Sequence, residues 1–134
     1  MADRGRNPIV VIADDDALIR SVLRATLEGE GFRVVEVGDG SAVTSAVASC
    51  APDLLILDVR MPGTDGITAT ATLVAERICP VVILTTFDLD DYVFGALAAG
   101  AGGFLLKTAS AETIVGAVRA VAAGDAVLAP EVTR

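Results

Sequence analysis

Residues 52–63 read Pro52-Asp53-Leu54-Leu55-Ile56-Leu57-Asp58-Val59-Arg60-Met61-Pro62-Gly63, and four consecutive apolar residues in this stretch lead directly to an aspartate. An unbroken apolar run of this kind is typical of a central strand in a parallel sheet, because helices cover both faces of such a sheet. In open α/β sheets, ligands bind beyond the carboxyl ends of the strands. Asp58 is therefore either a hydrogen-bonding residue of a turn or a reactive group at the ligand-binding edge.

Similar apolar segments occur on both sides of this stretch, and segments with helical periodicity separate them. The predicted strands are 9–13, 33–37, 54–58, 80–85 and 102–106, and the predicted helices are 17–30, 41–50, 65–77, 88–99 and 110–124. Ser41 and Ser110 are predicted helix caps, and Ile19, Val22, Leu23 and Leu27 are predicted to form the buried face of the first helix. Strand and helix alternate five times, which predicts an α/β fold: a doubly wound, five-stranded parallel sheet flanked by helices, flavodoxin-like in its (βα)5 order.

The length of 134 residues fits one domain, and a composition of 53% hydrophobic but only 4% aromatic residues predicts an aliphatic core. Residues 1–8 are a polar lead-in, 9–124 form the predicted domain, and 125–134 have the composition of a linker that begins there. No apolar segment approaches the roughly 20 residues of a membrane span. No secretion signal is recognisable either, so a cytoplasmic protein without membrane contact is expected.

The charge balance excludes several functions for this domain. Eighteen acidic and ten basic residues give a formal charge of −8, which disfavours direct binding of nucleic acid. The absence of histidine excludes histidine-based catalysis and most zinc sites. Cys50 and Cys79 show no metal-ligand spacing and are expected to be reduced thiols. Nine of the basic residues are Arg, so the single lysine, Lys107, is conspicuous.

Four predicted strands end in polar side chains: Asp14 and Asp15, Asp58, Thr85, and Lys107. The carboxyl ends of parallel strands share one edge, so these side chains are expected to converge there. Carboxylates about 4 Å apart repel by some 4 kcal/mol per pair at an effective dielectric near 20, so such a cluster would bind protons or a cation. An all-oxygen site with room for water suits Mg²⁺.

A metal, a lysine and a threonine hydroxyl beside a carboxylate are suited to phosphoryl transfer, which depends on positioning and charge neutralisation. Asp58 is the predicted acceptor, because an Asp carboxylate can take a phosphoryl group as an acyl phosphate. Each residue also has an ordinary interpretation. The acids at 14–16 would suit a helix N-terminus, Thr85 a strand, and Lys107 a solvated surface.

The sequence resembles the receiver domains of two-component response regulators over residues 9–124. The motifs that carry the resemblance are Val10-Val11-Ile12-Ala13-Asp14-Asp15-Asp16, residues 52–66, Ile83-Leu84-Thr85-Thr86-Phe87 and Phe104-Leu105-Leu106-Lys107. The resemblance implies that a sensor histidine kinase phosphorylates Asp58. It also implies that Mg²⁺ is bound by Asp14, Asp15, Asp58 and the backbone carbonyl of Arg60, and that Thr85 and Lys107 contact the phosphoryl oxygens.

Thr85 and Phe104 are similar to the switch pair of that family, in which the hydroxyl and the aromatic ring move together on phosphorylation. Residues 85–92 and 124–130 are similar to the NarL/FixJ subfamily. This resemblance implies DNA binding through a helix-turn-helix domain that the chain does not contain, and transcription regulation as the output. It further implies a phosphorylation-linked homodimer, with Leu18, Val115 and Ala122 as candidate surface residues; the predicted fourth helix and fifth strand are the competing dimer face.

Two other functions are compatible with parts of this pattern. A Mg²⁺-dependent phosphohydrolase of the haloacid-dehalogenase type would also use an Asp nucleophile, but those enzymes place a second Asp two residues later, where this chain has Arg60. A phosphorylation-independent interaction domain would not require the acids, Thr85 and Lys107 together. Many receivers have a proline after the lysine, whereas Lys107 precedes Thr108, so a trans bond is expected there.

Overall fold

The computed structural model describes residues 7–58, 79–85, 95, 98 and 100–123, with the side chain of Ser41 excepted. The described strands are β1 (Ile9–Ala13), β2 (Arg33–Val37), β3 (Leu54–Asp58), β4 (Val81–Thr85) and β5 (Gly103–Leu106). The described helices are α1 (Ala17–Glu28), α2 (Val43–Cys50) and α3 (Ala111–Ala122), with a short 3₁₀ turn at Gly40–Ala42. All strand pairs are parallel, in the order β2-β1-β3-β4-β5. The predicted five-stranded parallel α/β fold is therefore confirmed.

The core lies on both faces of the sheet, as the unbroken apolar runs predict. Every residue of β1, β3 and β4 is buried. Alternate residues of β3 lie on opposite faces of the sheet. Leu55 and Leu57 pack in the cluster that contains Phe104 and residues of α2. Leu54 and Ile56 pack with residues of α1 and α3. Among the described helices, none has both the length and the apolar character that a membrane crossing requires.

The first helix corrects one predicted core residue. Leu23 and Leu27 are buried in α1 as expected, but Val22 is 55% exposed. Successive helical residues are about 100° apart around the axis, so Val22 lies well away from the buried stripe through Leu23. The helix also ends at Glu28 rather than residue 30, and Gly31 follows with a positive φ of 93°.

The second helix begins later than predicted. The chain passes through the 3₁₀ turn at Gly40–Ala42, so Ala42 rather than Ser41 occupies the N-cap, and its side chain makes no capping bond. The predicted Ser41 cap is therefore wrong. The helix ends at Cys50 and is followed by Ala51 in the left-handed region. Of the predicted helices at 65–77 and 88–99, only Gly95 and Ala98 lie within the described residues, and both are helical.

The last described helix, α3, confirms one prediction and corrects another. The Ser110 hydroxyl accepts a hydrogen bond from the Thr113 N–H at 3.2 Å, as expected of a cap. Val115, a candidate surface residue, is only 8% exposed and packs in the core. It lies one turn before Val118, and residues three apart share a helix face. Leu18 on α1 is 71% exposed, as predicted.

Candidate metal centre

Three carboxylates converge at the carboxyl edge of the sheet. β1 pairs directly with β3, and Ala13 is opposite Leu57, so the residues that follow them are neighbours. Asp14, Asp15 and Asp58 each place one carboxylate oxygen within 4.8 Å of the others. Asp14 is fully buried and Asp58 nearly so, whereas Asp15 is exposed. The predicted convergence of these acids is present in the structure.

The three successive acids after β1, residues 14–16, form the acidic loop, and they have different structural roles. The Asp14 N–H donates to the Val37 carbonyl at 3.1 Å, and Asp14 Oδ1 accepts from the Asp16 N–H at 2.9 Å. Asp16 is the N-cap of α1, since its Oδ1 accepts from the N–H groups of Leu18 and Ile19. The interpretation of these acids as a helix N-terminus thus holds for Asp16, while Asp14 turns into the site.

Lys107 supplies the positive charge opposite these acids. Its backbone N–H donates to the Thr85 carbonyl at 2.7 Å, which ties the end of β5 to the end of β4. Its Nζ lies 3.0 Å from Asp14 Oδ2 and 3.1 Å from Asp58 Oδ2, and its side chain is only 14% exposed. Lys107 is therefore not a solvated surface residue. Together with Asp14, Asp15 and Asp58 it makes up what we call the acidic site.

The protonation equilibria of the site reflect its crowding. Burial raises the pKa of the Asp14 carboxyl above its ordinary value, and the charge of Asp58 acts in the same direction against the lowering influence of the Asp16 N–H and of Lys107. Burial by itself would lower the pKa of the Lys107 ammonium. Its close contacts and charge interactions with Asp14 and Asp58 outweigh burial, so the pKa of Lys107 is raised.

The donor set fits a hard divalent cation. All the candidate ligand atoms are carboxylate oxygens, the type that Mg²⁺ prefers. Asp14 Oδ2 is buried and, within the described part of the chain, accepts no hydrogen bond of good geometry, although the Lys107 ammonium lies 3.0 Å away. This oxygen could therefore coordinate a metal ion in addition to its contact with the Lys107 ammonium. The predicted backbone ligand, the carbonyl of Arg60, lies outside the described residues.

The two candidate switch residues are both buried. Thr85 ends β4 opposite Leu106. Phe104 lies opposite Ile83, and its ring belongs to the core cluster on the α2 face of the sheet. The bond between Lys107 and Thr108 is trans as expected, since the described part of the chain contains no cis peptide bond.

Arg20 is a residue of this region that the sequence analysis did not identify as part of the site. Its Nη1 donates to the Asp14 carbonyl at 2.6 Å and its Nε donates to Glu36 Oε1 at 3.0 Å. Arg20 is not among the residues predicted for the buried face of α1. The sequence does contain one indication of this contact. Glu36 is an acidic residue among the apolar positions of β2 that follow Arg33, and an acid in a strand indicates a cationic partner nearby.

Comparison with known proteins agrees with this geometry. Residues 10–119 match the family model described as Response regulator receiver domain. The transcriptional regulatory protein PdtaR of Mycobacterium tuberculosis is 42% identical over 110 residues, which cover 81% of this chain and 54% of PdtaR. The chain thus spans about half the length of the curated relatives it matches.

Two solved structures extend the likeness to the fold. The signal receiver domain of NarL from Mycobacterium tuberculosis has a TM-score of 0.82 at 35% identity, covering 88% of this chain and 98% of that domain. The isolated REC domain of RcsB from Salmonella enterica serovar Typhimurium, solved in the presence of the phosphomimetic BeF3−, has a TM-score of 0.84 at 27% identity, covering 96% and 98%. With a family match over most of its length, the chain belongs to the response regulator receiver domain family.

Proposed function

We propose that this chain is a phosphoacceptor whose Asp58 takes a phosphoryl group from a sensor histidine kinase in a Mg²⁺-dependent reaction. One observation carries the proposal. Asp14, Asp15 and Asp58 bring carboxylate oxygens within 4.8 Å of one another, and Lys107 Nζ lies about as close to Asp58 as to Asp14. A candidate cation site and a candidate nucleophilic carboxylate therefore lie at the same edge of the sheet.

In the proposed reaction, an Asp58 carboxylate oxygen forms a bond to phosphorus while the P–N bond to the phosphohistidine of the kinase breaks. The electron pair of that bond leaves with the imidazole, which takes up a proton, and the product is an acyl phosphate on Asp58. Asp58 is suited to this role because it ends the central strand β3, which lies between β1 and β4, and it is paired with Leu84 of β4.

The residues around Asp58 would stabilise the transferring group by charge and by hydrogen bonding. Lys107 is within reach of Asp58, and its ammonium would transfer its contact to a phosphoryl oxygen. The Thr85 hydroxyl at the end of β4 would donate to another. Mg²⁺ bound by Asp14, Asp15 and Asp58, with the Arg60 carbonyl, would neutralise the remaining phosphoryl charge.

We further propose that phosphorylation acts through Thr85 and Phe104 and promotes a homodimer of the longer regulator. PdtaR is a transcriptional regulatory protein, and MtrA of Mycobacterium leprae, 38% identical over 112 residues, is a DNA-binding response regulator. By analogy, DNA binding and transcription regulation would belong to a domain outside this chain. The exposed Leu18 on α1 and the exposed Ala122 on α3 remain candidates for the dimer face; buried Val115 does not.

Incubation with acetyl phosphate and Mg²⁺, followed by measurement of the intact mass, tests the phosphoryl site. We expect the mass of one phosphoryl group to be added, with no addition in Asp58→Asn and undiminished addition in Asp39→Asn, an exposed aspartate outside the acidic site. Equal labelling of the Asp58 variant would remove that residue from its role. Continuous turnover of an aryl phosphate by the wild-type chain would instead support the phosphohydrolase.

Native mass measurement of the labelled sample tests dimerisation. We expect the labelled chain to form a dimer whose amount falls in Leu18→Glu, because a charge at that exposed position would have to be desolvated in the interface. A monomer mass at every concentration of the labelled wild type would count against this part of the proposal alone.

A further inference from the structure

Arg20 connects the acidic loop to the neighbouring strand β2. Its Nη1 donates to the Asp14 carbonyl at 2.6 Å, and its Nε pairs with Glu36 Oε1 at 3.0 Å, with 18% of the Arg20 side chain exposed. Arginine presents several donors in one rigid plane, so a single guanidinium can hold two acceptors in a fixed relation. The position of the Asp14 backbone is thereby linked to β2 through a side chain.

Both backbone polar groups of Asp14 form hydrogen bonds on the β2 side of the acidic loop. The Asp14 N–H bonds to the Val37 carbonyl, and the Asp14 carbonyl bonds to Arg20. Both backbone polar groups of Asp14 are therefore held by, or through, β2. With its backbone held in this way, Asp14 has its side chain directed towards Lys107 and the proposed cation.

The neighbouring glycine makes room for this arrangement. A Cβ built on Gly38 would lie 3.0 Å from Arg20 Nη1 and 3.4 Å from its Cζ, which is closer than most real contacts of that type. The backbone of Gly38 does not have a positive φ. The absence of a side chain at this position is therefore explained by the passage of the guanidinium and not by backbone conformation.

We infer that Arg20 is a positioning residue of the proposed metal and phosphoryl site: it fixes the Asp14 backbone through the contact between Nη1 and the Asp14 carbonyl, Glu36 holds the guanidinium, and Gly38 leaves room for it. The inference rests on the proposed function. Groups that orient metal ligands without touching the metal typically change metal affinity 10- to 100-fold when they are removed. The expected consequence of losing Arg20 is weaker binding of Mg²⁺ by a chain that remains folded.

The chain offers a matched control in Arg24. This residue lies one turn further along α1 and pairs with the same Glu36, at 2.9 Å, and with Glu28 at 3.0 Å. Among the described residues it forms no hydrogen bond or ion pair with the acidic loop. Arg20→Met and Arg24→Met therefore remove the same charge and an ion pair to the same partner, and only the first removes the bond to Asp14.

The test is the dissociation constant of Mg²⁺ for the unphosphorylated chain, measured by calorimetry, together with urea unfolding in the absence of metal. We expect Arg20→Met to raise the dissociation constant about tenfold and Arg24→Met to change it less than twofold. Arg20→Lys should recover part of the loss, because an ammonium can still donate to the Asp14 carbonyl. Equal dissociation constants for the two methionine variants would overturn the inference.

Gly38→Ala is a second variant, and it keeps every charge. It tests the inference even if Arg20→Met does not fold. The added methyl requires the guanidinium to shift by a few tenths of an ångström; this shift should weaken its contact with Asp14 and raise the dissociation constant about threefold, roughly half of the Arg20 effect in free energy. An unchanged value in a folded Gly38→Ala chain would contradict the inference.

Labelling by acetyl phosphate is measured separately as a function of Mg²⁺ concentration. In Arg20→Met the Mg²⁺ concentration for half-maximal rate should rise with the dissociation constant, while the rate at saturating Mg²⁺ stays within about threefold of wild type, because Asp58 and Lys107 are untouched. A wild-type chain that binds Mg²⁺ but takes no phosphoryl group would overturn the proposed function. The comparison of dissociation constants would then still decide the role of Arg20.

Discussion

At the scale of single residues, Lys107 makes the acidic site compatible with a folded chain. Two nearly buried carboxylates, Asp14 and Asp58, lie next to each other, and the lysine ammonium contacts both. Without it, two negative charges would face each other in a region with little water. In the metal-free chain, Lys107 therefore stabilises the fold by balancing these two charges.

Lys107→Met should accordingly lower the free energy of unfolding by about 3 kcal/mol at pH 7 without metal, because it leaves buried carboxylates without their counter-charge. Urea denaturation measures the loss. The double variant Lys107→Met/Asp58→Asn should be more stable than the sum of the two single changes predicts, because it also removes one of the opposing charges. Strict additivity would show that the ammonium and the carboxylate do not interact.

The two thiols should differ in reactivity. Burial raises the pKa of Cys79 to about 11, and burial also raises the pKa of Cys50, which is partly exposed and donates to the Ala46 carbonyl. The thiolate is the reactive form. At pH 8 a thiol reagent should modify Cys50 slowly and Cys79 only after denaturant is added. Cys50→Ser should abolish the native-state reaction; a native-state reaction that persists in this variant would contradict the prediction.

At the scale of elements, α1 is joined to β2 by a network of charged groups at the edge of the sheet. Glu36 on β2 pairs with both Arg20 and Arg24 on α1. Because α1 also begins at the acidic loop, this network connects the helix that follows the site to β2. Hydrogen bonding to Arg24, then to Arg20, lowers the pKa of the Glu36 carboxyl against the opposing effect of burial.

Glu36→Gln should lower the free energy of unfolding at pH 7 by about 1 kcal/mol, since the pairs are partly exposed and screened. A carboxyl with a depressed folded-state pKa contributes stability above its ordinary value, and this contribution is lost as the pH falls through the folded-state pKa. The difference between wild type and variant should therefore be full above pH 4.5 and should shrink in stronger acid.

Urea denaturation at several pH values measures this difference. Glu28→Gln is the control, because Glu28 pairs only with Arg24 among the described residues, in an exposed contact within one helix. We expect Glu28→Gln to lower the free energy of unfolding by less than Glu36→Gln does. A difference for Glu36→Gln that grows on acidification would contradict the assigned cause.

At the scale of the whole molecule, the order β2-β1-β3-β4-β5 places the acidic site at the ends of the inner strands β1 and β3 and on the loop after β5. A cation that binds there is held only by the folded chain. Cation binding should therefore stabilise the fold by about 2.7 kcal/mol when the concentration of the free cation is 100 times its dissociation constant.

This stabilisation by Mg²⁺ should depend on pH in a definite direction. Because the pKa of Asp14 is raised above 3.8 in the folded chain, the metal-free fold is favoured below that value and loses stability as the pH rises through the folded-state pKa. Mg²⁺ needs the ionised carboxylate. Thermal unfolding with and without Mg²⁺ should show a smaller increase of the unfolding temperature at pH 4 than at pH 7; equal increases would contradict this account.

Much of this architecture could be predicted from the sequence, because buried parallel strands require apolar runs and four of the five runs lead to a polar residue. Asp14, Asp58 and Lys107 were found in this way. Val22 and Val115 were assigned to the wrong environments, since an apolar residue at the margin of a helical stripe can face either way. The contact of Arg20 was missed because its acceptor is a backbone carbonyl, which has no signature in the side-chain pattern.

The distance along the chain between Asp58 and Lys107, 49 residues, also has a consequence during synthesis. At about 10 residues per second, the acids would emerge from the ribosome roughly five seconds before the lysine. A nascent chain would thus carry the proposed acceptor early without the group that balances its charge. Under the proposed function, we expect truncated products that end before β5 to take no phosphoryl group from acetyl phosphate.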